Sequence, residues 1–460
     1  MVPKVNIWST LLGAKVSSRH RYAAYVAFEV VLGWDFQWCS ESVFQEEVAD
    51  IQIQYGGLKS EVTSGVIWIP DAGLLNQAGV DTSDFIWSMP SFTPGQVRLP
   101  FGVKVEHEEH IESDWLSWVF WMASRMEEFA PHPIHSRDEM GRFKGTASLA
   151  HQEGWLEFPM VEKCVRDWAQ QKAPACPLPV GYVVQPTIDV DSAFAYRHKG
   201  FKLTLGASIN DVIQGRWARF FERPAVLLGW KDDPYDTYAW LEAAHARLRV
   251  RATYFFLLAN RGEYDRGVPW SAPELQAQMR ALMKTADIGI HPGVSAHEAN
   301  SDAVMKEEVR RLAVIQEGGV ERGRQHYLLQ RNPASWRRME RLGILADHSL
   351  GYADVPGFRG GLSRPFRAYD LKEERIMSLV LHPIAVMDAT LMRHLKLTPQ
   401  EALQVVRQLS FNVREVEGVM TLLWHNESVS DRWEWRGWKT FYQEVLAAVV
   451  LDKNGITLES

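Results

Sequence analysis

Short apolar runs bounded by loop residues recur through the second part of the chain. Segments 182–188, 252–258, 287–290, 325–329, 376–380 with 384–387, and 419–424 read as strands. Stretches with apolar residues at helical spacing separate them, at 236–249, 272–285, 302–315, 336–342, 399–409 and 438–450. Such alternation predicts parallel strands with helices packed outside. A barrel of these units places its chemistry at the C-terminal ends of its strands, so capable side chains are expected just past each one. The first part lacks this rhythm. There, 22–32 and 115–129 read as helices, and 65–69 and 97–105 as short strands.

Pro174, Pro177 and Pro179 fall within 170–179 and oppose both helix and central strand. They divide the chain into an N-terminal α/β domain at 1–175, of unknown role, and a second domain at 180–460. A length of 460 residues supports the division, because one core stops growing at ~250–300 residues. Within the second domain, 192–251 stands as an insertion between the first two strands. It carries Trp217, Trp230, Trp240 and several arginines, and is placed to cover a site.

The motifs sit where the strand-end rule expects them. Past the first strand comes Thr187-Ile188-Asp189-Val190-Asp191. Alternate strand residues share a face, so the two carboxylates point the same way. Like charges so placed repel unless a cation or proton intervenes. A metal on one, with the other left as a base, resolves the conflict; a pair capping the next segment is the plainer alternative. Past the third strand comes His291, with His297 six residues on. Neutral imidazole is a common metal ligand. Both histidines can serve one ion only if 292–296 loops back; otherwise His297 is an exposed loop residue. Past the last strand stands His425, suited to protonate a leaving group near neutral pH or else a buried structural histidine. Asp388, past 384–387, either orients His425 or caps the helix beginning near Leu391.

These positions, in this order, resemble the polysaccharide deacetylase family (the NodB-homology fold). The resemblance implies a distorted (β/α)7-type barrel holding a divalent metal: zinc first, with cobalt, nickel or manganese as alternatives. It implies Asp189 as base, Asp191 and His291 as metal ligands, and His425 as general acid. Ala252-Thr253-Tyr254-Phe255-Phe256 is similar to the family's second strand, and Arg331-Asn332-Pro333 to its third motif, with Arg331 expected to hold the base. The family's second metal histidine would fall at Ser295, so His297 is the candidate third ligand. The chain is also similar to two-domain bacterial proteins of unknown substrate that share stretches such as Ser124-Arg125-Met126-Glu127-Glu128 and Arg324-Gln325-His326-Tyr327-Leu328. The implied activity is removal of an acetyl group from an N- or O-acetylated sugar or polysaccharide. Two alternatives stand beside it: an amidase for a small non-sugar amide, and a catalytically weakened barrel serving as a binding module in surface-polysaccharide assembly.

Composition trims this picture. A net charge of −7 argues against a broad surface for nucleic acid or anionic membrane, while leaving a local basic patch open. No apolar stretch reaches the ~20 residues of a membrane span, and no signal peptide is evident, so a cytoplasmic protein is expected. Cys39, Cys164 and Cys176 form neither a disulfide framework nor a zinc motif. The 19 tryptophans suit sugar rings and equally suit cores.

Overall fold

A computed structural model of the chain describes residues 2–9, 16–77, 98–105, 110–129, 136–297 and 302–451. They fall into two compact units. One lies within Met1–Val183, Leu350–Pro383 and Asn412–Val419; the other lies within Val184–Ser349, Ile384–Phe411 and Met420–Ser460.

In the first unit, β1 (Lys4–Trp8), β2 (Asp35–Trp38), β3 (Ile51–Tyr55) and β4 (Ile67–Ile69) pair in the order β2-β1-β3-β4, all parallel. The expected strand at 97–105 begins outside the described residues; β5 (Gly102–Lys104) pairs antiparallel with β6 (Ile111–Ser113). The expected helix at 22–32 is an α-helix, Ser18–Ala24, continued by a π-helical turn, Tyr25–Val31. Helix Trp115–Ala123 is buried along its whole length, as a helix apolar on every face must be. Asp114 fixes its start. Its carboxylate accepts the N–H of Ser117 (3.0 Å) and of Ala72 (2.9 Å) and the Tyr55 hydroxyl (2.9 Å).

Glu128 is the buried anion of this unit, gripped by Arg359 through both oxygens (2.8 and 2.7 Å) and by Arg125 Nε (2.9 Å). Burial alone would raise its pKa, but the two guanidinium groups reverse that and hold it at about 2.

The second unit is built on parallel pairing. Its strands are β7 (Val183–Val190), β8 (Thr253–Phe256), β9 (Asp287–Ile290), β10 (Arg322–Gly323) and β11 (Ala346–Leu350), followed by β14 (Val386–Met387) and β15 (Val419–His425). The intervening β12 (Phe366–Asp370) and β13 (Arg375–Pro383) form an antiparallel hairpin belonging to the first unit. The strand order in the second unit is β11-β10-β9-β8-β7-β15-β14, with parallel registers from β7 to β11 and between β14 and β15. Helices Tyr238–Arg247, Pro273–Leu282, Asp302–Gln316 and Ala334–Arg341 link successive strands, as the alternation predicts.

Two strand expectations need correction. Segment 376–380 is an arm of the β12–β13 hairpin: the turn between them is too short for the crossover that a parallel neighbour requires. Segment 325–329 is a single 3-10 turn, His326–Leu328, bent at Tyr327 with φ 58°, and the strand lies just before it, at β10.

One glycine matters for the site. Gly289 stands opposite Phe255 in the β8–β9 register, and a Cβ there would sit 2.5 Å from the Phe255 ring and 3.0 Å from the Arg322 carbonyl. Gly289→Ala is therefore expected to cost about 1–3 kcal/mol of stability, read as a lowered denaturant midpoint. Glu128 supplies a pH signature. Its folded pKa lies below the unfolded value, so its contribution is present above pH ~4.5 and fades as pH falls towards 2. The loss across that window is ~3 kcal/mol. Unfolding titrations of Glu128→Gln should show a flatter acid limb, and an unchanged limb would refute this role.

Candidate metal centre and active site

Four strand ends of the second unit supply the chemistry. On β7, Thr187 and Asp189 lie on one side of the strand, as alternation requires, and Asp191 stands just past its end. Past β9 comes His291, and past β10 come Arg324 and His326. His425 ends β15.

Arg324 is fully buried. Its Nη1 donates to Asp189 Oδ1 and to Thr187 Oγ1, each at 2.8 Å, and its Nε donates to the His348 carbonyl at 2.8 Å. The guanidinium also stacks over the Phe255 ring at 4.5 Å, which is the ring that Gly289 admits. The Arg324 carbonyl in turn accepts from His291 Nδ1 at 2.6 Å. A carbonyl only accepts, so the Nδ1 proton is fixed there, and the neutral ring presents a bare Nε2.

That Nε2 faces Asp191 Oδ1 at 3.2 Å and Asp189 Oδ2 at 3.7 Å. His326 repeats the arrangement. Its Nδ1 is held by Asp265 Oδ1 at 2.9 Å, and its Nε2 faces Asp191 Oδ2 at 3.5 Å. Donor atoms of Asp191, His291 and His326 all lie within 4.8 Å of one another. The His291 Nε2 lone pair thus points at the carboxylate, and Asp191 Oδ1 has no hydrogen-bond partner. Burial disfavours charge on His326, yet Asp191 and Asp265 push its pKa up to about 9. The histidines likewise hold the Asp191 carboxyl well below the carboxylate range, against burial. The spot demands positive charge, as a proton or as a metal ion. Two imidazoles and a carboxylate, each imidazole held through its outer nitrogen, fit a divalent metal of the zinc type.

The remaining expected residues divide. His425 Nδ1 meets Asp388 Oδ1 at 2.8 Å, and its backbone N–H donates to Asp388 Oδ2 at 2.8 Å. Burial opposes charge on His425, but Asp388 and the nearby Asp191 and Asp189 carboxylates push its pKa up to about 10. Asn426 ties this loop to β7 by donating its N–H to the Asp189 carbonyl at 3.2 Å. His297 is buried, not exposed, and stands outside the metal trio, with neither ring nitrogen hydrogen-bonded. Burial pushes its pKa down to about 3. Arg331 is exposed, and its backbone N–H donates to Ser335 Oγ at 2.9 Å; the arginine on Asp189 is Arg324. Sequence reasoning missed Arg324 and His326 because it placed a strand over 325–329. With the strand at Arg322–Gly323, both fall just past its end, where the rule looks.

A family of unknown function (DUF7033) matches residues 9–171, about a third of the chain. No curated protein matches. Among solved structures, the chain is similar to a candidate polysaccharide deacetylase from Mycobacterium smegmatis, at 14% identity and TM-score 0.40, over 60% of this chain and 87% of that one. It is also similar to the Puue allantoinase, at 9% identity and TM-score 0.37, over 58% of this chain and 83% of the other.

Metal analysis checks the trio. Zinc titrated into the purified chain should bind near one equivalent, and His326→Ala or Asp191→Ala should abolish this. Asp265→Asn should weaken binding by ~10–100-fold, since it frees the outer nitrogen of His326. His297→Ala should leave affinity unchanged; loss with His297→Ala and retention with His326→Ala would reverse the assignment.

Proposed function

We propose that the second unit, on a distorted barrel of the deacetylase kind, is a metal-dependent hydrolase that removes an acetyl group from an N-acetylated sugar. The observation that carries this reading is the unequal treatment of two adjacent carboxylates. Asp191 faces the inner nitrogens of two imidazoles, while Asp189 is held by a buried arginine and left out of the metal trio.

Asp191, His291 and His326 would hold a divalent ion, which would supply Lewis acidity toward an amide carbonyl and a water molecule. Asp189, its Oδ1 fixed by Arg324, turns its Oδ2 toward the same spot and accepts the proton of the attacking water. His425, oriented through Nδ1 by Asp388, delivers a proton from Nε2 to the departing amine. Around this centre, Tyr327 packs on His326 with ring centroids 4.3 Å apart, and Tyr264 meets Tyr327 edge to face at 6.0 Å. Both tyrosines are well exposed, offering flat aromatic surface beside the centre; this favours a sugar ring over a small amide.

Chitooligosaccharides assayed for acetate release test the proposal. Asp189→Asn should lower turnover by at least ~10²–10⁴-fold while bound zinc is unchanged. His425→Ala should lower kcat with little effect on metal content. Full activity in Asp189→Asn would remove the base from the mechanism, and ammonia release from small amides without acetate release would move the enzyme to the amidase reading.

A further inference from the structure

The insertion at 192–251 contains a helical hairpin, Phe201–Ile213 and Trp217–Leu227, whose apolar residues face the wrong way for a core. Phe201, Leu205, Ile209 and Ile213 recur every fourth residue on the first helix, and all are exposed. Trp217, Phe221 and Leu228 continue the pattern on and just past the second, with Trp230 beyond them. Exposure reaches 80% at Phe201, 73% at Ile213 and 76% at Trp230. Residues at this spacing share one helix face. Each helix thus carries an apolar stripe turned outward, and an exposed stripe of this size marks an interaction surface.

The charge around the stripes bears on what could cover them. Residues 200–231 carry five basic side chains (Lys202, Arg216, Arg219, Arg223, Lys231) and two acidic ones (Asp211, Glu222), a net +3 in a chain of net −7. Arg223 and Asp211 neutralise each other as a buried pair. Arg219 pairs with Glu434 at 3.2 Å, and Arg216 and Lys231 are exposed, with Asp232 next to Lys231. Large aromatic and aliphatic residues on one face with Lys and Arg beside them are the chemistry of helices that lie in the surface of an anionic bilayer. At 13 and 11 residues, the helices extend only ~20 and ~17 Å, too short to cross. No described helix is long and apolar enough to cross a membrane.

The hairpin is also braced rather than loose. Asp233 accepts the backbone N–H groups of Ala195 (2.6 Å), Tyr196 (2.9 Å) and Arg197 (3.0 Å), and Tyr196 donates to Glu222 at 3.1 Å. Arg219 stacks on Trp433 at 4.0 Å, and Asn426, next to His425, donates through Nδ2 to the carbonyls of Ser192 and Tyr235. These contacts reach the second helix through Glu222 and Arg219, and the Arg223–Asp211 pair joins the first helix to it.

We propose that this hairpin is a docking surface for an anionic lipid bilayer, lying in the plane of the headgroups. Co-sedimentation of the full chain with vesicles tests it. Phosphatidylcholine vesicles containing phosphatidylglycerol should pull the protein down, pure phosphatidylcholine should do so far less, and added salt should release it. The double variant Ile213→Asp with Phe221→Asp should lower partitioning by roughly tenfold or more. Its thermal midpoint and zinc content should match the parent, since both side chains are already exposed. Failure of the parent chain to bind phosphatidylglycerol vesicles would overturn the proposal. So would equal binding by the double variant, or a solution dimer that the variant abolishes without any vesicle binding by the parent.

Discussion

The buried guanidinium of Arg324 is the interaction on which the second unit's site depends. One side chain ties Asp189 to Thr187 on β7 and reaches the carbonyl of His348 on β11, and the same residue's carbonyl fixes the tautomer of His291 past β9. Strands from both sides of β10 thus meet at a single residue. A buried cation without an acidic partner would be prohibitive, and a buried carboxylate without a cation equally so. Each therefore makes the other tolerable, and the contacts to Thr187, His348 and the Phe255 ring hold the pair in one geometry. The requirement reaches into the sheet, where Gly289 leaves room for that ring.

From this follows a difference between two carboxylates two residues apart. The same sequence motif places both, and the fold gives them different surroundings. Asp189 has its positive partner built in, on Arg324. Asp191 faces instead two imidazoles, His291 and His326, whose outer nitrogens are held by the Arg324 carbonyl and by Asp265. Positive charge is built in at one carboxylate as a guanidinium; at the other it comes as a proton on the histidines or as a metal ion. Asp265 and the Arg324 carbonyl decide this although neither belongs to the trio, because the hydrogen bond on the far nitrogen settles what the near nitrogen can do.

Much of this was legible in the sequence wherever a strand was long enough to show a pattern. β7, β9 and β15 were each found to within two residues, and Asp189, Asp191, His291 and His425 follow from their ends. Asp388 was visible for the same reason, past β14. β10 was not visible. It has two residues, Arg and Gly, and so carries no periodicity at all, while the apolar Leu328 and Leu329 just beyond it imitate a strand. That displacement leaves Arg324 and His326 before and inside the expected strand rather than past its end; Arg331 comes from the likeness of Arg331-Asn332-Pro333 to the family's third motif. The hairpin arm β13 misled in the other direction. Its pattern is a true strand pattern, but nothing in an isolated strand tells antiparallel from parallel pairing, and the short return from β12 was the only clue.

The choice between His297 and His326 shows what spacing leaves undetermined. Both are histidines a short loop away from a strand end, and both are buried. His326 has a carboxylate behind it, Asp265, to hold its Nδ1, and Asp191 in front. His297 has its ring nitrogens unpaired, and burial first, with Arg338 and Arg331 adding to it, pushes its pKa down. The distinction is electrostatic and long-range in sequence: the residue that qualifies His326 lies 61 positions earlier, on the loop after β8. Spacing within one motif measures reach. Whether a histidine within reach can ligate depends on which charges the rest of the fold brings beside it.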